Sequence, residues 1–395
     1  MTNTKVYCNH NFLIAVSASM MVMMIAAAIV PAFPKIVETF GINEQDVGLL
    51  ITAYTFPSFL FGPLGGVLAD RLGRKRLLIA SLLMFGIFGG SCVFARDFNT
   101  LLVLRVAQGL CSAPLGGIGV TIISDIFSGH QRAQAIGLNT TAMYIGYIIY
   151  PLIGGALAGI AWNYPFLIFF ASIPIAITAI FILDCPEPKQ KQTLKEYLGT
   201  ALHYLKSWKV AWLFFAVMLA YVILYGAFLN YFSILLGGRF QASPFIIGSF
   251  ISLVGLMTAL ASLLVGRLSK RFAPVLLVMG SFIIYAFSMV LIPVMPGLWF
   301  CLIPIIIYGF AHGINLPSLI VIASHITPLE HRAGFMALRG TMLTLGMTLA
   351  PLIMGLVYSL SNLNDTFYIA ALIALLVPAM AAIVGVKRIS IEEYK

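Results

Sequence analysis

The chain alternates long apolar runs with short polar segments from one end to the other. Each run is about 20 residues long, the length that carries an α-helix across the hydrocarbon core of a bilayer. The pattern predicts an all-α membrane protein with twelve transmembrane helices. The predicted spans are residues 12–33, 47–69, 77–95, 99–123, 138–160, 164–183, 209–236, 245–265, 274–294, 298–323, 334–358 and 366–386.

Composition agrees with this pattern. Hydrophobic residues make up 61% of the chain, only 9% of residues are charged, and mean hydropathy is +1.02. Soluble domains contain roughly 45–50% apolar residues, so the chain belongs to the membrane class.

The distribution of Lys and Arg predicts the orientation, because these residues are retained in cytoplasmic loops. With the N-terminus inside, only Lys35, Arg96 and Arg239 of the 23 Lys and Arg residues lie in outer loops, and two more lie within spans. We therefore expect a multi-pass protein of the prokaryotic inner membrane with both termini in the cytoplasm. The formal charge of +10 is explained by these loops and does not indicate nucleic-acid binding.

The chain repeats itself at an offset of two hundred residues. The segment that begins at Leu138 resembles the segment that begins at Leu338, and Arg132 and Ala133 recur as Arg332 and Ala333. The matched pairs include Gly66 and Gly266, Arg71 and Arg271, Gly146 and Gly346, Pro151 and Pro351, and Gly155 and Gly355. An even number of spans in each half gives both halves the same orientation. We expect two pseudo-symmetric six-helix bundles, residues 1–183 and 209–395, with a substrate site between them near mid-membrane.

The longest polar stretch, residues 184–208, is the predicted linker between the bundles. It is expected to lie on the cytoplasmic surface as an amphipathic helix.

One short segment, "GVLADRLGRKR" at residues 66–76, concentrates charge between spans 2 and 3. Asp70 falls at the C-terminal end of a predicted helix, where the helix dipole disfavours an anion, so it requires another partner. Gly73 can adopt the positive φ of a tight turn. A solvated cytoplasmic loop would explain Arg74 and its basic neighbours, but it would not explain Asp70 or the glycines.

This segment resembles the signature that the major facilitator superfamily carries between helices 2 and 3. Further resemblances are "RVAQG" at 105–109, "RAQAIGL" at 132–138 and "GYIIYPLIGG" at 146–155. The likeness extends over the whole chain and is greatest to the twelve-span drug and metabolite exporters, the drug:proton antiporters.

The resemblance implies a cytoplasmic latch that ties the halves together while the cavity opens outward. By position, Asp70 would face the start of helix 11, where Arg339 lies, and Arg74 would pair with Asp125. The latch residues are Asp70, Arg71, Gly73, Arg74, Asp125 and Arg339. The helix 5 packing motif is Gly146, Pro151, Gly154 and Gly155, with Tyr150 in place of the glycine that usually precedes the proline.

Charge inside a bilayer is costly, so ionisable residues within the spans are functional candidates. Arg105 lies roughly 9 Å from the outer end of span 4. It could take part in a proton relay or bind an anionic substrate, or its side chain could simply extend to the membrane–water interface. No Asp or Glu falls near mid-membrane. His312 titrates near neutrality and could carry the coupling proton, or it could be a neutral residue bonded to a neighbouring helix.

Aromatic residues with polar tips mark the candidate substrate cavity, although plain packing is an alternative for each of them. The candidates are Tyr144, Tyr147, Tyr221, Tyr225, Asn230 and Asn315, beside His312. Such surfaces suit an amphipathic or cationic organic molecule.

The favoured function is a secondary active exporter driven by protons, working by alternating access. A specific carrier for a sugar or an anionic metabolite is the alternative, and a membrane sensor or enzyme is a remote one. The sequence has no HExxH, GxSxG or P-loop motif, so neither an enzyme nor direct use of ATP is expected. The expected partners are a small-molecule substrate, protons and the lipid bilayer, with no cofactor, no metal and a monomeric chain.

Overall fold

The computed structural model describes residues 6–185, 207–327 and 332–383, without the side chains of residues 8, 25, 66, 67, 70, 332 and 333. Helices account for nearly all of this part of the chain, and it contains no strand. Eleven helical segments there are long and apolar enough to cross a membrane, and the helix His10–Ala27 supplies the twelfth predicted span. The all-α, twelve-helix prediction is confirmed.

The spans are named α1 to α12 in chain order. They are α1 His10–Ala27, α2 Leu49–Leu72, α3 Arg74–Ser91, α4 Phe98–Ile126, α5 Gly129–Ile160, α6 Tyr164–Ile182, α7 Trp208–Arg239, α8 Pro244–Leu268, α9 Pro274–Val294, α10 Leu298–Ile326, α11 Arg332–Leu360 and α12 Leu363–Ile383. Several of them are irregular. α4 is interrupted at Pro114, which has no N–H to donate, α8 is interrupted at Leu263 and Leu264, and α7 contains a π-helical stretch, Ile223–Tyr231.

The predicted end of span 1 is wrong. The helix stops at Ala27 instead of residue 33, and the chain continues as a 3-10 turn, Val30–Ala32, and a short helix, Phe33–Phe40. Pro31 and Pro34 explain the break, because neither can donate the backbone hydrogen bond that a continuous helix needs.

Two helix pairs join the halves, α2 with α11 and α5 with α8. They are equivalent under the two-hundred-residue repeat, which relates α2 to α8 and α5 to α11. The symmetry also holds for contacts of individual residues. Gly48, just before α2, packs against Pro351, and Gly248 packs against the Pro151 carbonyl. A side chain at either glycine would collide with its proline, so the close approach depends on glycine.

The halves are sealed together at the end of the molecule that carries the α1–α2 loop, called here the distal end. The Tyr358 hydroxyl donates to the Glu44 carboxylate at 2.6 Å, and the Thr52 hydroxyl donates to the Thr348 carbonyl at 3.1 Å. The Thr348 hydroxyl also donates to the Thr55 hydroxyl at 3.0 Å. Each bond links one half to the other, and together they form the distal seal.

The opposite end, called here the terminal end, carries the start of α1 and the end of α6. There Asn11 exchanges two hydrogen bonds with the backbone of Asp184, at 2.9 and 3.0 Å. These bonds tie the first and last helices of the N-terminal half together. Most of the predicted linker, including its amphipathic helix, lies outside the described residues.

Candidate functional site

Four of the predicted cavity residues come together as a tyrosine wall: Tyr144 and Tyr147 from α5, and Tyr221 and Tyr225 from α7. The rings of Tyr221 and Tyr225 stack at 6.1 Å with an interplanar angle of 21°. Tyr147 lies within electrostatic range of both. All four side chains are partly exposed. Because α5 and α7 belong to different halves, the tyrosine wall spans the boundary between the bundles.

Arg339 of α11 joins this wall. Phe335 stacks on Phe214 of α7 at 5.0 Å, and Gly346 lies against the Met218 carbonyl of the same helix. Arg339 falls between these two contacts on the same face of α11, since residues four and seven apart share a face. Its guanidinium lies near enough to the phenols of Tyr221 and Tyr144 for a charge on one group to affect the other. The sequence places Arg339 in the latch and gives no sign of this position.

His312 is buried behind the tyrosine wall, with 2% of its surface exposed. Its Nδ1 lies 2.7 Å from the Tyr285 hydroxyl of α9, and its ring stacks on Tyr308 of α10 at 5.8 Å. Tyr221 packs against the imidazole edge-on at 6.4 Å. Tyr221 therefore belongs both to the tyrosine wall and to the surroundings of His312.

Two glycines explain how α10 places His312 so close to α8. Gly309 and Gly313 lie against the backbone of α8, and a Cβ at Gly313 would collide with the Thr258 carbonyl. The Thr258 hydroxyl closes the contact by donating to the Gly309 carbonyl at 3.1 Å. This close packing leaves the imidazole facing α7 and α9.

The two predicted asparagines are not on the cavity surface. Asn230 and Asn315 are fully buried, and within the described part of the chain neither side-chain amide has a hydrogen-bond partner. Asn230 lies in the π-helical stretch of α7 and faces Gly48 at the distal seal. Both residues are predicted at the cavity because they are polar, but polarity alone does not show which face of a helix lines the cavity.

Arg105 is enclosed inside the N-terminal half, with 1% of its surface exposed. Its Nε donates to the Leu50 carbonyl at 3.2 Å, and a terminal nitrogen donates to Oε1 of Gln108 at 2.7 Å. The guanidinium also lies 4.8 Å from the centroid of the Tyr54 ring. Arg105 thus does not extend to the membrane interface, and these contacts hold α2 against α4.

At the terminal end, Arg74 forms an ion pair with Asp125, which joins the start of α3 to the end of α4. Gly73 takes a φ of 87° between α2 and α3, a conformation that favours glycine. Arg71 is exposed. The Asp70 side chain lies outside the described part of the structure, so its pairing with Arg339 stays a prediction.

The sequence profile of the Major Facilitator Superfamily matches residues 15–238 and 213–390. The chain belongs to this superfamily. It is therefore a multi-pass membrane transporter, and nothing in the comparisons indicates catalysis.

Relatives within the superfamily include two resistance proteins. The chain is 26% identical over 352 residues to the quinolone resistance protein NorA of Staphylococcus aureus, covering 87% of this chain and 88% of NorA. It is 24% identical over 383 residues to multidrug resistance protein 2 of Bacillus subtilis (strain 168), covering 92% of each.

Solved structures confirm the fold. A bacterial homologue of the human lysosomal transporter Spinster, in an inward-facing and occupied conformation, superposes with a TM-score of 0.82 at 17% identity over 99% of both chains. The nucleoside transporter NupG (D323A mutant) superposes with a TM-score of 0.80 at 16% identity, covering 95% of this chain and 99% of NupG.

The helix 5 motif of the superfamily makes the contacts of α5. A Cβ at Gly154 would collide with the Ala28 carbonyl, and one at Gly155 would collide with the Pro244 carbonyl at the start of α8. The Tyr150 ring, in the position that usually holds glycine, is buried over Gly146. The unusual tyrosine is therefore accommodated by the first glycine of its own motif.

Proposed function

We propose that this transporter exports small amphipathic organic compounds from a bacterial cell in exchange for protons, by alternating access. The observation that carries the proposal is the tyrosine wall, built from both halves and in contact with the only described histidine buried within the spans. Aromatic faces bind apolar parts of a substrate, and a few polar tips orient it. Both sides of the cavity come from one chain, so a monomer suffices.

Alternating access is supported by the way the halves meet. The distal seal closes one end with three hydrogen bonds between the halves, each of which rigid-body rocking can break. The Lys and Arg residues of the loops favour a cytoplasmic position for the terminal end. The structure is then closed to the outside. The Arg74–Asp125 pair of the proposed latch lies within the N-terminal half and is formed in this structure, so the predicted pairing of Asp70 with Arg339 is the part that would stabilise the opposite, outward-open state.

His312 is the proposed proton carrier. The ionisable groups that face it are the phenols of Tyr221, Tyr285 and Tyr308, from three helices. A proton on the imidazole would be stabilised by the Tyr285 oxygen and by the faces of the stacked rings. Tyr221 belongs to the tyrosine wall and also contacts the imidazole. Protonation of His312 and binding of substrate would therefore act on the same ring. Arg105 is assigned a role in holding the N-terminal half together.

The names of the relatives support export of organic compounds, since both are resistance proteins. A specific carrier for an anionic metabolite is the second candidate, and the observation that favours it is Arg339 in the tyrosine wall.

Proteoliposomes test the proposal directly. Purified transporter is reconstituted with an imposed pH gradient, and uptake of a panel of amphipathic dyes is recorded together with proton flux. We expect dye to move against its own gradient only while protons move down theirs. Dye movement that is identical with and without the pH gradient would rule out proton coupling.

A further inference from the structure

Among the described side chains, arginines lie inside the membrane-spanning part of the transporter, whereas carboxylates lie only at the ends of the spans. In the described spans, the carboxylates of Asp125 and Asp365 both lie at helix ends. Away from the helix ends, the ionisable nitrogen groups of the same spans are Arg105, His312 and Arg339. Arg105 has hydrogen bonds from its guanidinium to the Leu50 carbonyl and to Gln108.

Arg339 differs from Arg105 in both exposure and partners. Its side chain is partly exposed, and its Nε is buried without a hydrogen-bond acceptor in the described residues. A buried donor without an acceptor costs free energy, and the cost is larger for a charged group. Such a group favours binding of an acceptor from outside the protein.

The tyrosines of the wall are also donors. The Tyr147 hydroxyl is buried and has no hydrogen-bond partner in the described part of the chain. Tyr144 and Tyr221 lie within electrostatic range of the guanidinium. The arginine and the tyrosines come from α5, α7 and α11, so this group of donors spans both halves.

We propose that Arg339, with the hydroxyls of Tyr144, Tyr147 and Tyr221, binds an anionic oxygen group of the substrate, such as a carboxylate or sulfonate. The guanidinium presents paired donors that match such a group, and the tyrosine faces receive the apolar remainder. This inference rests on the proposed function and narrows its substrate class to amphipathic anions. A cationic substrate would meet Arg339 as a like charge, so the cationic class suggested by the sequence is disfavoured.

Matched probes test the charge preference. The purified transporter is placed in phosphatidylcholine nanodiscs without a pH gradient, and binding of pyrenebutyrate is compared with binding of pyrenebutyl-trimethylammonium by fluorescence. We expect the anion to bind at least about tenfold more tightly than the cation. Arg339→Gln should remove this preference, Arg339→Lys should retain part of it, and Arg267→Gln, at an exposed arginine outside the cavity, should leave it unchanged.

Two further arms distinguish substrate binding from an effect of the latch and from lipid binding. If Arg339 acts only through the latch, Asp70→Asn will change the affinity ratio as Arg339→Gln does, and the proposal is wrong. If phosphatidylglycerol in the nanodisc displaces pyrenebutyrate from the wild-type protein, the acceptor is a lipid headgroup and the proposal is also wrong.

Equal binding of the two probes, or an unchanged ratio in Arg339→Gln, would overturn it as well. Because this experiment uses no pH gradient, it can succeed when proton coupling fails. It can also fail when proton-driven transport of the dyes persists.

Discussion

The hydroxyl of Tyr285 and Nδ1 of His312 are 2.7 Å apart and join α9 to α10 within the C-terminal half. On its other side the imidazole meets Tyr221, whose ring also lines the tyrosine wall. In the proposed mechanism, a change in the charge of His312 would act directly on a residue that contacts the substrate. Tyr221 would thus link the proposed proton site to the proposed substrate site.

His312→Ala is expected to abolish uphill transport and leave downhill exchange of substrate, because the imidazole is the proposed site of the coupling proton. Uphill accumulation is measured in proteoliposomes under a pH gradient, and exchange is measured without one.

His312→Gln is the matched control, since its amide can bond to Tyr285 but cannot titrate. We expect it to lose uphill transport as His312→Ala does. Uphill transport at the wild-type rate in His312→Gln would show that His312 only holds α9 to α10, and proton coupling would have to be sought elsewhere.

Arg74→Gln is expected to lower uphill transport by about tenfold, which corresponds to about 1.4 kcal/mol in the free-energy barrier of the transport cycle. The substitution removes the ion pair with Asp125 and so loosens the joint between α3 and α4. Asp125→Asn should have the same effect. The exchange of both residues, Arg74→Asp with Asp125→Arg, should restore part of the activity, and no recovery would argue against a role for the pair itself.

Gly154→Ala is expected to destabilise the transporter by about 1–3 kcal/mol, because the added methyl group collides with the Ala28 carbonyl of the α1 segment. Gly159→Ala is the control on the same helix, since no atom lies within 4 Å of the methyl group there. Thermal unfolding in detergent measures both. Equal melting temperatures for the two variants would contradict the close packing of α1 and α5.

Tyr358→Phe is expected to weaken the distal seal by about 1 kcal/mol, since it removes the hydrogen bond to Glu44 and keeps the ring that stacks on Tyr231 at 5.4 Å. Access from the distal side is measured by labelling a cysteine placed at Thr348 with a membrane-impermeant maleimide. Labelling should be faster in the Tyr358→Phe background, and an unchanged rate would mean that Glu44 does not help to keep that side closed.

Much of the fold could be predicted because its signals are local. Apolar runs of about 20 residues located all twelve spans, although α5 begins at Gly129 and not at residue 138, and Gly73 marked the turn between α2 and α3. The repeat predicted the symmetry that the paired contacts of Gly48 and Gly248 display. The end of span 1 was wrong because hydropathy does not register the backbone effect of Pro31 and Pro34.

The candidate site depends on contacts between distant segments, and such contacts leave few signals in the sequence. His312 and Tyr285 are 27 residues apart on different helices, so nothing in the sequence pairs them. Arg339 could have been placed on the α7 face from its spacing to Phe335 and Gly346, but only once α11 was known to pack on α7. Asn230 is expected at the cavity from its polarity alone, and the sequence gives no sign of the π-helical stretch in which it is buried.

Alternating access between the two halves is the central claim, and a reversible cross-link across the distal seal tests it most directly. Thr55→Cys and Thr348→Cys are introduced into a chain whose native cysteines are replaced, at positions where the hydroxyl oxygens lie 3.0 Å apart. Oxidation should abolish uphill transport and reduction should restore it, while each single cysteine variant stays active in both conditions. Full transport by the oxidised, cross-linked protein would contradict the account, because the halves would then not need to separate at this end.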